Sequence, residues 1–300
     1  MSNVWLITGS SRGIGRQLAE AVLAAGHRLV ATARRPEQLA DLVAKYGDRA
    51  RAVALDVTNP AAARAAVQAA VDAFGRLDVV VNNAGYGNIA SIEDITDEDF
   101  REQIDTNFFG VVNVTRAALP VLRAQRSGHI IQISSIGGRI GSAGLSAYQS
   151  AKWAVEGFSE VLFKEVSPLG IKVTVVEPGS VRTDWAGSSM KIVEPSAGYQ
   201  AVLGPLLEYR RTLVGKETGD PARCAQAILQ IAAIEAPPLR LLLGSDAVYL
   251  AGLAGAERAE EDARWKHLSV STDFPSEGAP QDSEERRKEL GQILKAQPSA

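Results

Sequence analysis

The 300-residue sequence predicts a doubly wound α/β domain built on a parallel seven-stranded sheet. Two patterns carry this expectation, and a glycine-rich turn after the first apolar run adds a third. Seven short Val/Ile/Leu-rich runs alternate with six helical stretches between residue 4 and about residue 245. Most runs are apolar at nearly every position rather than at every second one. Such strands are covered on both faces, as in a parallel sheet held between helices. Strands alternating with helices give βαβ units, and right-handed crossovers place helices on both sides.

In chain order, Val4–Thr8 is the first strand and Ile14–Ala25 the first helix. Arg28–Ala33 then leads to a helical Pro36–Tyr46, and Ala50–Leu55 to a helical Pro60–Phe74. Leu77–Asn82 is the fourth strand, followed by a long helical pattern over Asp97–Arg126. His129–Ser134 precedes a helix over Ser146–Ser167, and Lys172–Glu177 is the sixth strand. Pro221–Ile234 and Arg240–Leu243 close the alternation.

Two regions break the rhythm. Residues 183–218 exceed an ordinary connection and are rich in Gly, Ser and Pro, yet carry Trp185, Met190, Tyr199, Leu203, Leu206, Leu207 and Tyr209. They read as a substrate lid or as an extra helical hairpin packed on the body. The domain itself is expected over residues 1–252. Residues 253–300 read as a charged C-terminal extension, helix-compatible over Glu257–Trp265 and Pro/Gly/Ser-rich over Phe274–Pro280.

Composition narrows the function. The net charge of −3 gives no global electrostatic reason to hold nucleic acid or an anionic membrane. Cys224 is the sole cysteine, and His27, His129 and His267 are scattered, so neither a disulfide, a zinc cluster nor a Ser-His-Asp triad is well supplied. No apolar run approaches the roughly 20 residues of a membrane span. The N-terminus shows no signal-peptide pattern, so a cytoplasmic protein is expected.

The first strand ends in Thr8-Gly9-Ser10-Ser11-Arg12-Gly13-Ile14-Gly15, and a helix follows at once. Glycines at 9, 13 and 15 let a chain turn sharply off a strand and approach a pyrophosphate without Cβ obstruction. The helix N-terminus then offers free N–H groups to the phosphates. An NAD site usually places Asp or Glu at the end of the second strand to bind the ribose hydroxyls. Here Arg34 and Arg35 stand there, with Arg12 in the turn. Guanidinium groups suit a 2′-phosphate, so NADP(H) is the expected cofactor. Asp56-Val57 could receive the adenine amino group, or Asp56 could cap the helix near Pro60. Asn83-Ala84-Gly85 could lie against the adenosine ribose or form a plain turn.

Tyr148 and Lys152 are four apart and share a helix face, just beyond a strand ending in Ser134-Ser135. Hydride transfer to a carbonyl builds charge on oxygen, which needs a proton donor and waiting hydrogen bonds. Free tyrosine titrates near 10, and lowering that by about three units takes roughly 4 kcal/mol. One positive charge about 4 Å away, at an effective dielectric of about 20, supplies as much. Lys152, aided by the positive nicotinamide of the oxidised cofactor, is thus expected to make Tyr148 acidic.

The glycine turn, Asn83-Ala84-Gly85, Ser135, Tyr148-x-x-x-Lys152 and Pro178-Gly179 occur in order at suitable spacing. Together they resemble the short-chain dehydrogenase/reductase family over about residues 4–245. The resemblance implies a Rossmann-type doubly wound parallel sheet and a catalytic tetrad of Asn107, Ser135, Tyr148 and Lys152. In it, Asn107 would hold a water linking Lys152 to solvent; a structural role at a local kink is the alternative. Implied cofactor contacts are Thr8 through Gly15, Arg34, Asp56-Val57, Asn83 through Gly85, Tyr148, Lys152 and Pro178 through Thr183, including Val181. Ser135 and Tyr148 would meet the substrate, with Trp185 and Met190 of the lid beside it. No metal is implied.

The expected activity is NADP(H)-dependent reduction of a ketone or aldehyde, reversible, on an apolar or bulky substrate. The core is similar to carbonyl reductases and hydroxysteroid dehydrogenases. A 3-oxoacyl-carrier-protein reductase and a non-catalytic NADP(H)-sensing protein are the alternatives. The resemblance also implies a homodimer or homotetramer.

Overall fold

The computed structural model describes residues 2–186, 190–274 and 283–295. The parts of the lid and tail at 187–189, 275–282 and 296–300 lie outside the described residues. The elements run β1 (Val4–Ile7), α1 (Gly13–Ala24), β2 (Arg28–Ala33), α2 (Ala40–Tyr46), β3 (Ala50–Ala54), α3 (Pro60–Phe74) and β4 (Val79–Asn82). There follow β5 (Asn88–Ile89), α4 (Asp97–Ile104), α5 (Gly110–Gln125), β6 (Gly128–Ile133), α6 (Ser146–Val166) and β7 (Ile171–Pro178). The chain continues through β8 (Lys191–Ile192), α7 (Gln200–Leu213), α8 (Pro221–Ala233), β9 (Arg240–Leu243), α9 (Ser245–Val270) and α10 (Ser283–Lys295).

The main sheet has the order β3-β2-β1-β4-β6-β7-β9, and every pairing is parallel. Side chains alternate across it, and both faces are buried. Trp5 and Ile7 of β1 join a core with Leu18 and Leu23 of α1 and Ile228 of α8. Val4 and Leu6 point the other way, into a core with Val67 of α3, Leu122 of α5 and Leu162 of α6. Each fully buried side chain of this kind contributes about 1.5–3 kcal/mol over its exposed state. The order reverses between β1 and β4, and the crevice at their carboxyl ends is where such sheets bind ligands.

The long helical pattern over Asp97–Arg126 is two helices. Between α4 and α5, Asp105–Phe109 forms a π turn, in which the Gly110 N–H bonds to the Asp105 carbonyl five residues back. The buried positions Gln103, Asn107, Val111, Val114, Ala118 and Leu122 still step by three or four, so the apolar pattern does not mark the interruption. Of the two readings of Asp56, the helix cap is excluded. The Asn59 side chain accepts from Ala61 and Ala62 at the start of α3, while Asp56 Oδ1 accepts from the Thr58 N–H and hydroxyl. The tail helix begins much earlier than expected. It leaves β9 almost at once as α9, so a boundary at 252 falls inside a continuous helix. It is tied to the body where Arg258 lies 4.6 Å from the Trp153 ring centroid and donates to the Arg139 carbonyl.

His129 of β6 is a core residue. Thr174 Oγ1 donates to the Pro238 carbonyl, so it accepts from His129 Nε2–H at 2.9 Å. Nδ1 is buried without a partner. Burial pulls the imidazole pKa down to about 3. The unfolded chain therefore takes up this proton first as pH falls, and stability is lost from about pH 6.5 downwards. Spread over the full range this is worth about 5 kcal/mol. Urea unfolding between pH 7 and 4 should show the loss, and His129→Gln should flatten it. Equal slopes in the two proteins would remove His129 as the cause.

Candidate active site at the carboxyl edge of the sheet

The glycine turn meets the loop after β4. Thr8 Oγ1 accepts from the N–H groups of Asn83 and Ala84, both at 2.9 Å. Asn83 Nδ2 donates to the carbonyls of Thr8 and Gly9 at 2.9 and 3.1 Å. A Cβ on Gly15 would stand 2.3 Å from Asn83 Nδ2 and 2.4 Å from the Gly9 oxygen. Gly9 has φ +68°, a left-handed conformation that favours glycine. Gly13 lies against Thr183, whose nearest atoms would be 3.6 Å from an added Cβ. Ile14 packs on the core below.

No side chain caps α1: Arg12 precedes it in extended conformation and makes no capping bond. The first-turn N–H groups of α1 therefore remain available to an anion. Ser11 stands half-buried beside them. This uncapped, Cβ-free cradle fits a dinucleotide pyrophosphate.

Arg12, Arg34 and Arg35 are exposed, and among the described residues none has a carboxylate partner. Arg16 nearby is engaged instead by Glu20 and Asp41. Asp56 is exposed at the end of β3, and Val57 packs beneath Gly110, where a Cβ would meet it at 2.5 Å.

On the other side of the switch point, Ser135 turns the chain after β6, and its Oγ accepts the Gly137 N–H at 3.0 Å. The loop is braced below by Arg139, whose guanidinium grips the wholly buried Glu177 of β7 at 2.5 and 2.6 Å. Tyr148 and Lys152 sit one turn apart on α6 and are 8% and 4% exposed. Lys152 Nζ donates to the Ile133 carbonyl at 2.8 Å and lies 5.6 Å from the Tyr148 ring centroid. The Ser135 hydroxyl lies near enough to the Tyr148 hydroxyl to favour its ionised form.

Asn107 is fully buried in the π turn. Its Nδ2 donates to the carbonyls of Tyr86 and Gln103 at 2.9 and 3.0 Å, and its Oδ1 accepts the Tyr86 N–H at 3.1 Å. Asn107 thus pins the loop after β4 to the helix pair. A Cβ on Gly85 would lie 2.5 Å from Asn107 Oδ1 and 3.7 Å from Lys152 Nζ, which puts all three in one neighbourhood.

The electrostatics differ from the sequence expectation. Burial pushes the Tyr148 pKa up to about 12, against the pull of the Ser135 hydroxyl and the Arg210 charge. Burial pulls Lys152 down to about 8, opposed by Glu156. The Lys152 charge is not among the groups that lower the phenol, which are Ser135 and Arg210. Desolvation disfavours both charged forms, so it moves the two pKa values towards neutral side chains.

The segment 183–218 is neither featureless nor a simple hairpin. It leaves the body beside a bridge between Val181 and Gly219, and β8 pairs with β5. Trp185 reaches over Tyr148, with ring centroids 5.0 Å apart, and rests on Gly87. Met190 packs instead with Ile89, Leu145 and Leu207. Pro178 is buried at the end of β7. Gly179 admits the Asp246 carboxylate, which accepts the Ser180 N–H at 2.7 Å, so that glycine answers a structural need.

Three residues that the sequence reading passed over lie here. Gly87 supports Trp185, Glu156 stands one turn beyond Lys152, and the Arg210 charge acts on Tyr148. Glu156 was legible as the next step of a four-residue ladder from Tyr148, and Arg210 as a charge continuing the Leu203–Leu207 face. Among the described residues no cluster of metal-ligating side chains occurs, and no helix is long and apolar enough to cross a membrane.

A glycine cradle at the switch point, with a serine, a tyrosine and a lysine facing it, defines a dinucleotide-binding oxidoreductase. The family profile described as short chain dehydrogenase matches residues 3–192. The chain belongs to the short-chain dehydrogenase/reductase family. It is 52% identical to oxidoreductase BOA17 of Botryotinia fuckeliana, over 91% of this chain and 100% of that protein. The crystal structure of a short-chain dehydrogenase from Streptomyces avermitilis superimposes with a TM-score of 0.85 at 42% identity, over 91% of this chain and 100% of that one. An alcohol dehydrogenase from Thermococcus sibiricus, complexed with 5-hydroxy-NADP, has a TM-score of 0.67 at 26% identity, over 81% and 96% of the two chains. A Burkholderia phymatum member of the family in complex with NAD shares the fold at 24% identity and TM-score 0.73, over 88% and 95%.

Proposed function

We propose that the protein reduces a ketone or aldehyde with NADPH and oxidises the corresponding alcohol in reverse. The carrying observation is the convergence of Ser135, Tyr148 and Lys152 on the crevice beside the uncapped start of α1. The residues that would hold the cofactor are the Thr8–Gly15 turn, Arg34 and Arg35, Asp56, the Asn83–Gly85 loop, Lys152 and Thr183. The bound nicotinamide supplies hydride to the carbonyl carbon.

Tyr148 then donates a proton to the carbonyl oxygen as charge develops there. Its pKa of about 12 keeps it protonated at neutral pH, which is the form an acid catalyst of reduction needs. Ser135, beside the Tyr148 hydroxyl, orients the same oxygen. Lys152, with a pKa near 8, carries a proton for much of the neutral range and opposes negative charge on the phenol once the proton has left. Asn107 holds the Gly85–Tyr86 loop against Lys152 and adjoins the relay route. Trp185 over Tyr148 closes the site to water and favours an apolar body in the substrate.

Initial rates with a panel of ketones and aldehydes, run with NADPH and with NADH, test this reading. NADPH should be preferred, because among the described residues the three arginines at the ribose end have no carboxylate partner. Charge-assisted bonds are worth about 1.5–3 kcal/mol each, so Arg34→Glu with Arg35→Glu should cut kcat/KM for NADPH by at least about tenfold relative to NADH. A wild-type preference for NADH would overturn the cofactor assignment. Tight cofactor binding with no turnover across the panel would overturn the enzyme assignment.

A further inference from the structure

Two adjacent arginines on α7 have different surroundings. Arg211 is exposed and paired, with Glu194 at 3.5 Å and with Glu208. Arg210 is half-buried, and among the described residues it has neither a carboxylate partner nor a hydrogen bond to the protein. Its place follows from the helix register. Leu203, Leu207 and Arg210 fall at i, i+4 and i+7, on one face of α7. Leu203 and Leu207 are buried at 2% and 4% exposure. Leu207 packs with Ile89, Leu145 and Met190, and Leu145 precedes Tyr148 by three residues at the head of α6. One turn further along the same face, Arg210 lies close enough to Tyr148 for the guanidinium and the phenol to interact electrostatically.

An arginine drawn out of water and left unpaired is destabilising unless a partner arrives. Surface arginines escape this, and Arg211 next door shows that α7 can pair its charges internally. A bound anion would supply Arg210 with such a partner. A guanidinium fork matches a carboxylate in two parallel hydrogen bonds, and one positive charge balances one negative charge.

We propose that Arg210 is the specificity residue of the substrate site and that the substrate is an oxo acid, its carbonyl at Tyr148 and its carboxylate on Arg210. This rests on the carbonyl-reductase reading above and narrows it. The apolar body expected from Trp185 remains, and a single anionic group is added at the α7 side. The other anion that could meet Arg210 is the cofactor's own phosphate, and the test separates the two.

The matched probes are 4-oxodecanoate and 5-oxodecanoate, their methyl esters, and 2-decanone, assayed with NADPH and the full-length protein. The wild type should favour at least one acid over its ester by about tenfold or more in kcat/KM, the order expected of a charge-assisted pair. Arg210→Gln should remove that preference: the acid should slow at least about tenfold more than the ester and 2-decanone, which share only the effect of the lost charge on Tyr148, while the KM for NADPH stays within a few-fold. Arg210→Lys should restore part of it, and Arg211→Gln should change nothing. Turnover of 2-decanone and the esters without any acid preference overturns the oxo-acid assignment and leaves the reductase reading standing. An equal loss on all substrates makes Arg210 a support for Tyr148. A raised KM for NADPH alone assigns it to the cofactor. If no probe turns over, the reductase reading fails; calorimetric titration of the acids into NADP⁺-loaded protein then decides, and equal affinity in wild type and Arg210→Gln rejects the site.

Discussion

Tyr148→Phe should lower kcat for ketone reduction by about 10²- to 10⁴-fold, the usual contribution of a positioned general acid. The substitution keeps the ring that packs 5.0 Å from Trp185 and deletes only the hydroxyl, so the fold and the lid contact survive. The affinity for NADPH should stay within a few-fold, because the glycine turn, Asn83 and the arginines are untouched. The loss should appear in kcat more than in KM, since proton donation matters only as the carbonyl oxygen gains charge. Steady-state kinetics of the variant beside calorimetric NADPH binding measures both. A decrease smaller than about tenfold would remove Tyr148 from the proton-transfer step.

Gly15→Ala should disable cofactor binding. The new methyl group would sit 2.3 Å from Asn83 Nδ2 and 2.4 Å from the Gly9 carbonyl oxygen. The first neighbour belongs to a side chain already committed to the Thr8 and Gly9 carbonyls, and the second is backbone. Neither can yield without opening the turn that forms the phosphate cradle. Overpacking of this kind costs about 1–3 kcal/mol of stability. Because the displaced atoms border the ligand, the Kd for NADPH should rise by about tenfold or more, each 1.4 kcal/mol being a factor of about ten. Gly255→Ala in α9 has no atom within 4 Å of the added group and serves as the control. NADPH binding by Gly15→Ala that matched the control would show that the turn is not the cradle.

The parts of the site that were legible in the sequence are those with a local signature. The turn from Gly9 to Gly15 declared itself because three glycines follow a strand and open a helix. Tyr148 and Lys152 declared themselves because a spacing of four puts them on one face of α6. At Asn107 a local kink is among the sequence readings, but the π turn is not, because the buried positions Gln103, Asn107, Val111 and Val114 keep the steps of an ordinary helix. β5 and β8 were not legible either: a two-residue strand has no period to read, and its partner lies about a hundred residues away. Asp56 left two readings open, an adenine contact and a helix cap, and only the geometry shows Asn59 as the cap.

Residue order alone settled the alternation of strands and helices, the parallel sheet and the chemical groups available at its carboxyl edge. These follow from side-chain period and backbone freedom, which are properties of neighbours in the chain. Tertiary structure decided which charges those groups carry. Lys152 was expected to acidify Tyr148, yet Trp185 and the surrounding walls bury both, so the phenol rises to about 12 and the amine falls to about 8. It also decided that the charge of Arg210, some sixty residues downstream, acts on the same phenol. Desolvation and through-space charge are sums over everything nearby in three dimensions, and no window along the chain contains them.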